Sequence, residues 1–337
     1  MLFQTYRNFR QFSTISERCL KTIKIRTCVG IYDKLKAKYP KIYSGYCPDN
    51  GFDLDLTFVD TLNETPNAEK TVLAIHGGIG DHTAFKNFID YFVQQNIRVI
   101  VPKFPTFELT RKTLYYWHST DEKASVVRDL LRELQVLSVD LLTSHSLGSL
   151  TAAALTDPGV SNPIIKNFAL IAPYYVVQFP EWKVKLLLAI SLPYNSEFYW
   201  NIADMLKIYK LPIYGFKFNT GNEQYQLSTT LLDNQDYPLW LKRLYNLANS
   251  SNIPVLILYG TKEKTVQKKC IDNFFNTFNI DYNNLKVVSS PNDSFVEKTL
   301  RSQRINAFFI KDGGHFVHQH CPDICNSILN KFIGSRN

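Results

Sequence analysis

Residues 140–155 read Asp140-Leu141-Leu142-Thr143-Ser144-His145-Ser146-Leu147-Gly148-Ser149-Leu150-Thr151-Ala152-Ala153-Ala154-Leu155, and the fold is decided here. Asp140–Ser144 has the apolar character of a short buried strand, and Ser149–Leu155 has the small side chains of a closely packed helix. The Ser-x-Ser-x-Gly between them must turn sharply. A strand, a tight turn and a small-residue helix are the setting of a nucleophile elbow, whose strained backbone lifts a serine hydroxyl clear of a sheet. Ser146 is therefore the expected nucleophile. Ser144 stands where glycine is usual in such elbows, and it is small enough to keep the close approach.

Three further loops belong with this turn. Upstream, the strand Thr71–Ile75 ends in His76-Gly77-Gly78-Ile79-Gly80-Asp81. The N–H of Gly78 and that of Leu147, the residue after the nucleophile, are the expected donors of an oxyanion hole. A plain glycine turn is the alternative; a phosphate loop is a poor one, because no Gly-Lys-Ser/Thr follows. Downstream, the strand Val255–Tyr259 leads into Gly260-Thr261-Lys262-Glu263, and the strand Asn306–Ile310 into Lys311-Asp312-Gly313-Gly314-His315. A carboxylate and then a histidine at successive strand ends complete the chain order Ser, acid, His. Glu263 is the expected acid and His315 the general base, with Asp312 as the alternative acid.

Further strands are expected at Phe52–Val59, Ile97–Pro102 and Phe168–Ala172, and a helix over Asp121–Leu137 behind Thr120 as N-cap. Unbroken runs such as Val255-Leu256-Ile257-Leu258-Tyr259 suit strands buried on both faces, so the class is α/β with a mostly parallel sheet. The order breaks between Tyr174 and Ser250, an aromatic-rich stretch with helical patterns at Glu181–Ile190, Glu197–Tyr209 and Tyr237–Asn249. A helical insertion at this point would cap the carboxyl ends of the strands, where ligands bind. Its aromatic residues would wall an apolar pocket or simply pack the insertion onto the sheet. The domain plan is a lead-in over residues 1–40, then one domain over 41–337 with the cap at about 174–250.

With these segments in view, the chain resembles the α/β-hydrolase superfamily, and within it an invertebrate-rich branch of unknown function. The resemblance rests on DTLNETPNAEKTVLAIHGGIGDHTAFKNF (60–88), SHSLG (144–148), YGFKFNTGNEQ (214–224) and FFIKDGGHF (308–316), and covers roughly residues 40–335. It implies an eight-stranded, mostly parallel sheet flanked by helices, with a cap and a serine, acid and histidine at Ser146, Glu263 and His315. Ser144 for Gly, Ile79 for Pro in the oxyanion loop and Glu263 for Asp depart from the common pattern.

The net charge is +8, and its position decides what it means. Residues 1–40 hold nine basic and two acidic side chains, which leaves the other 297 residues at +1. A nucleic-acid-binding face on the body is thereby disfavoured. MLFQTYRNFRQFSTIS, basic and free of acids, has the composition of a mitochondrial transit peptide, with a frayed terminus of a cytosolic protein as the alternative. No run approaches 18 apolar residues, so no transmembrane segment is expected; Val184–Leu192, broken by Lys185, is the longest. Six scattered cysteines suit free thiols in a reducing compartment. His318, His320, Cys321 and Cys325 lack a partner motif with zinc spacing and are expected to pack rather than bind metal.

These readings converge on a serine hydrolase that needs no cofactor and cleaves an ester, thioester or amide of a small lipophilic acyl substrate. A serine nucleophile argues against epoxide or haloalkane hydrolysis, which in this superfamily uses aspartate. The rival reading is an inactive member of the fold that binds a small ligand or partner. An interfacial enzyme docking through Trp182–Leu192 is a third.

Overall fold

A computed structural model describes residues 14–40, 43–78, 80–157, 163–174 and 236–335. Its strands are β1 (Leu20–Thr27), β2 (Phe52–Asp60), β3 (Thr71–Ile75), β4 (Arg98–Pro102), β5 (Ser138–Val139), β6 (Leu141–His145), β7 (Ile164–Ile165), β8 (Phe168–Ile171), β9 (Val255–Gly260), β10 (Lys286–Val288) and β11 (Ile305–Ile310). Nine of them form one sheet in the order β1-β2-β4-β3-β6-β8-β9-β11-β10, while β5 and β7 pair separately. β2 runs antiparallel to both neighbours and every other pairing in the sheet is parallel.

Parallel strands covered on both faces favour apolar side chains throughout: β8 and the Val255–Tyr259 run of β9 are wholly apolar, and β3 and β6 are polar only at Thr71 and at Thr143, Ser144 and His145. Leu73, Ile75, Leu142, Leu170, Ile257 and Tyr259 face one core. That core is closed by the helices Thr120–Glu133, Gly148–Ala154, Tyr237–Asn249 and Lys268–Thr277. Val72, Ala74, Leu141, Ile171, Leu256 and Leu258 face the other, closed by Lys86–Gln94, Ser294–Ser302 and Pro322–Gly334. The helix Tyr237–Asn249, assigned from its pattern to the cap, lies in the first of these layers. Trp240 and Leu244 are fully enclosed there, and Arg243 bonds Asp157 and Asp121. An amphipathic period cannot tell which apolar surface its stripe will cover. The rest of the expected cap, including 181–190, 182–192 and 197–209, lies outside the described residues, as does Ile79.

The long helix begins one residue earlier than expected. Ser119 is its N-cap, and the Glu122 carboxylate bonds back to the Ser119 N–H at 2.8 Å in a capping box.

The basic lead-in also holds structure. β1 pairs with β2 through eight residues in register, from Leu20↔Val59 to Thr27↔Phe52. Ile25 and Thr27 point into the core while Lys24 and Arg26 face solvent. Lys21 pairs with Asp60, and Arg26 with Asp53. Two of the lead-in's nine basic residues, Lys24 and Arg26, thus form the outer face of an edge strand, where lysine discourages further pairing. β10 adds a ninth strand to the eight implied by the resemblance. Its Lys286-Val287-Val288 is too short to show a period.

Two measurements test these placements. A chain starting at residue 28 loses β1 and should unfold with at least about 3 kcal/mol less stability in urea, given the apolar side chains uncovered. A chain starting at Thr14 keeps every contact above and should unfold like the full chain; equal unfolding of all three would show that β1 contributes nothing. The second concerns the helix after β6. A methyl group on Gly148 would stand 2.7 Å from the Ile75 carbonyl oxygen and 2.6 Å from that of His76. Gly148→Ala should therefore cost about 1–3 kcal/mol of stability, read from the same denaturation curves.

Candidate active site

Ser146 follows β6 with φ +51°, in the left-handed region that a serine rarely occupies. Such a residue costs about 1–3 kcal/mol and persists only where its surroundings over-determine it. Here its N–H donates to Ile171 O at 3.1 Å, and its carbonyl accepts from Ser149 N at 3.0 Å and Tyr174 N at 3.3 Å. The side chain is left at the end of the sheet.

There the structure brings Ser146, His315 and Glu263 together. Ser146 Oγ lies 2.9 Å from His315 Nε2, and His315 Nδ1 lies 2.8 Å from Glu263 Oε2. The carboxylate can only accept, so Nδ1–H donates to it and Nε2 is free to accept the serine hydroxyl proton. Ser146 and His315 are buried, and the Glu263 side chain is 3% exposed. Burial pushes the Glu263 carboxyl up. The His315 hydrogen bond and charge, with N–H bonds from Val266 and Thr265 to Oε1, outweigh this and hold it below the usual carboxylate value. It is therefore a carboxylate whenever the imidazole needs one.

Backbone contacts between two loops set the Glu263–His315 geometry. Thr261 N–H donates to Ile310 O at 3.0 Å, Lys262 N–H to Gly313 O at 2.7 Å, and Asp312 N–H to Thr261 Oγ1 at 2.9 Å. The loops approach so closely that a Cβ on Gly260 would overlap the Gly313 carbonyl. Asp312, the alternative acid, is exposed and pairs with Lys262 at 2.8 Å, while Glu263 meets the histidine.

The glycine-rich loop after β3 also arrives at the nucleophile. A methyl on Gly77 would stand 3.1 Å from Ser146 Cβ and 3.1 Å from His145 Nδ1. Gly78 is the next residue of that turn, and Leu147 opens the turn of helix on the other side of Ser146.

Three histidines that motif reading did not assign to the site support these loops. His76 Nδ1–H donates to Gly77 O at 2.9 Å, and its Nε2 accepts from Phe104 N–H at 3.3 Å. Burial lowers its pKa to about 4, so it ties the loops together as a neutral ring. His145 Nε2–H donates to the His315 carbonyl at 3.1 Å, and its ring lies 4.9 Å from that of His315. His318, expected to pack, does so: its ring is 5.2 Å from Phe85 and 4.5 Å from His145. Burial pushes the His145 pKa well down and that of His318 to about 3. Both therefore stay uncharged beside a His315 that must accept a proton. Their signal in the sequence was adjacency: His76 precedes Gly77, and His145 precedes Ser146.

A serine hydroxyl bonded to an imidazole, itself oriented by a buried carboxylate, is equipped for nucleophilic attack with proton transfer. Comparison with other proteins agrees with the class of fold. Residues 48–333 match the family described as Alpha/beta hydrolase of unknown function (DUF1057). An uncharacterized protein of Caenorhabditis elegans, F35H12.5, is 20% identical over 297 residues, which is 82% of this chain and 80% of that one. Among solved structures, a thermophilic esterase from Thermogutta terrifontis superposes with a TM-score of 0.58 at 14% identity. The match covers 94% of this chain and 100% of that one. The thioesterase domain from the curacin biosynthetic pathway gives 0.55 at 17% identity, over 82% and 95%. Likeness at these identities speaks to the fold alone, a mostly parallel sheet flanked by helices. With the family match spanning nearly the whole described chain, this protein belongs to the α/β hydrolases of unknown function.

Proposed function

We propose that this protein is a serine hydrolase that cleaves an ester, thioester or amide of a small lipophilic acyl compound. The observation that carries the reading is the unbroken hydrogen-bonded path Ser146 Oγ–His315–Glu263 at the carboxyl end of the sheet. Ser146 Oγ attacks the acyl carbon as His315 Nε2 takes its proton. Glu263 holds the Nδ1–H tautomer and stabilises the imidazolium. The N–H groups of Gly78 and Leu147 receive the developing oxyanion. His315 then protonates the leaving group, and water repeats the sequence to release the acid. The neutral state of His145 and His318 supports this role for His315, since neither ring opposes its protonation with a positive charge. The esterase and thioesterase named among similar structures share the fold on which this chemistry is placed.

The localisation reading is likewise our proposal: a mitochondrial address within the residues before Thr14, supported by Arg7, Arg10 and the stretch Arg10-Gln11-Phe12-Ser13. Because β1 begins at Leu20, cleavage within it would remove an integral strand.

A fluorophosphonate probe should label the wild-type protein and not Ser146→Ala. Equal labelling of the two, or none under conditions where a known serine hydrolase reacts, would leave the inactive binding protein as the reading. Glu263→Gln should lower kcat for a turned-over ester by roughly 10³–10⁴, since the amide no longer favours the productive tautomer.

The same variant gives a pH test. The Glu263 carboxyl lies below its unfolded value, so its contribution to stability is present above the unfolded pKa of about 4.3 and lost as pH falls through the folded one. The stability gap between wild type and Glu263→Gln should narrow on acidification below about pH 4. A gap that widens there contradicts a depressed pKa. For the address, residues 1–13 fused to a fluorescent passenger should carry it to mitochondria; a diffuse passenger rejects import.

A further inference from the structure

Lys123 lies in the first turn of the helix Thr120–Glu133, and the residue is only 9% exposed. An ammonium this enclosed is ordinarily paired with an acid. Among the described residues, the neighbouring acids are otherwise engaged. Asp121 bonds Arg243, and Asp129 meets Ser125 and Arg132. Glu122 turns back to accept from Ser119 N–H, Ser119 Oγ–H and Trp117 N–H. What Lys123 meets is the face of Phe104, with Nζ 5.4 Å from the ring centroid. Two imidazoles within its field, His76 and His118, are buried rings held neutral by that burial. A cation over one ring recovers only part of the cost of leaving water.

Its place in the fold connects this cation to the nucleophile. The helix is the crossover between the parallel strands β4 and β6, so its first turn stands at the carboxyl edge of the sheet, on the same side as Ser146. The connection runs through contacts already described. Phe104 N–H bonds His76, His76 bonds the Gly77 carbonyl, and Gly77 packs against Ser146. Phe104 also meets the His76 ring edge-on at 5.0 Å. A run of contacts through Phe104, His76 and Gly77 thus joins Lys123 to Ser146.

We propose that Lys123 is an anion-accepting subsite of the Ser146 site, receiving a carboxylate or phosphate group on the substrate. The proposal rests on the hydrolase reading of Ser146 and narrows its substrates to acyl compounds that also carry an anion. Burial lowers Lys123 to about 7, against the opposing pull of Glu122. A bound anion would restore the full charge and add a charge-assisted hydrogen bond, which is strong where water is excluded. Were Lys123 there only for its packing stem, methionine would replace it without consequence.

The test is protection of the full chain from fluorophosphonate labelling by adipate, by hexyl phosphate and by neutral 1,6-hexanediol. At least one anion should protect at a concentration tenfold or more below that of hexanediol, and the better of the two identifies the group preferred. Lys123→Met should raise the protecting concentration roughly ten- to hundredfold, the worth of a hydrogen bond to a charged group. Lys123→Arg should retain protection, and Lys123→Gln serves as the neutral variant if Lys123→Met does not fold. Anions no better than the diol, or protection indifferent to Lys123, would overturn the subsite. If the wild type is not labelled at all, the hydrolase reading falls by itself. Calorimetric titration of the two anions into wild type and Lys123→Met then decides the subsite: saturable heat that needs Lys123 upholds it, and its absence rejects it.

Discussion

The backbone of Ser146 occupies a region that a side-chain-bearing residue avoids, and the surrounding sheet holds it there. Its N–H is fixed to Ile171 at the end of β8, and its carbonyl to Ser149 and Tyr174. The chain then passes so close to the end of β3 that only Gly148 fits under the carbonyls of Ile75 and His76. These restraints come from three adjacent strands in fixed register, with Ile75 beside Ser144 and His145 beside Ile171. A slip of one residue in β6 would exchange its core faces and turn the hydroxyl away. The position of one oxygen atom thus depends on the double-sided burial of the central sheet.

The same dependence explains how groups far apart in the chain converge. Glu263 and His315 are 52 residues apart, and Ser146 and His315 are 169 apart. Yet β9 and β11 are neighbours whose last paired residues are Gly260 and Ile310. The loops leaving them start side by side, and backbone bonds lock them before any side chain is placed. The glutamate's extra methylene fits this arrangement because its second oxygen is anchored by the Thr265 and Val266 amides. Preorganisation of this kind avoids reordering polar groups during a reaction.

What could be read in advance was the central sheet, because burial on both faces leaves unbroken apolar runs, and the three loops, because sharp turns demand glycine. Less legible features each have a physical reason. β1 alternates Ile23-Lys24-Ile25-Arg26 as an edge strand should, but a charge count over residues 1–40 draws the same lysines and arginines into a leader. Tyr237–Asn249 shows a clear apolar stripe, and only tertiary structure reveals that Trp240 enters the main core. Asp312 and Glu263 both stand at strand ends in loops of the right kind. The closeness of Gly260 to Gly313 sends one carboxylate to the histidine and the other to Lys262. His76, His145 and His318 act through ring nitrogens and contacts that no spacing rule encodes.

Charge shows the limit of composition most clearly. A body with net charge near zero has a weak far field, and that, with the aromatic content, favours a lipophilic substrate. Net charge is a sum, however, and a site responds to the groups that are enclosed with it, in a medium where water does not screen them. Arg98 and Arg243 are enclosed to a similar degree, but each meets carboxylates: Arg98 bonds Asp60, and Arg243 bonds Asp157 and Asp121. They cancel locally and hold elements together. Among the described residues no carboxylate pairs with Lys123, which stands one ring away from the loop that borders Ser146. A lipophilic acyl group and an anionic substrate group are compatible on this view, because one enclosed lysine acts locally while adding almost nothing to the charge of the whole.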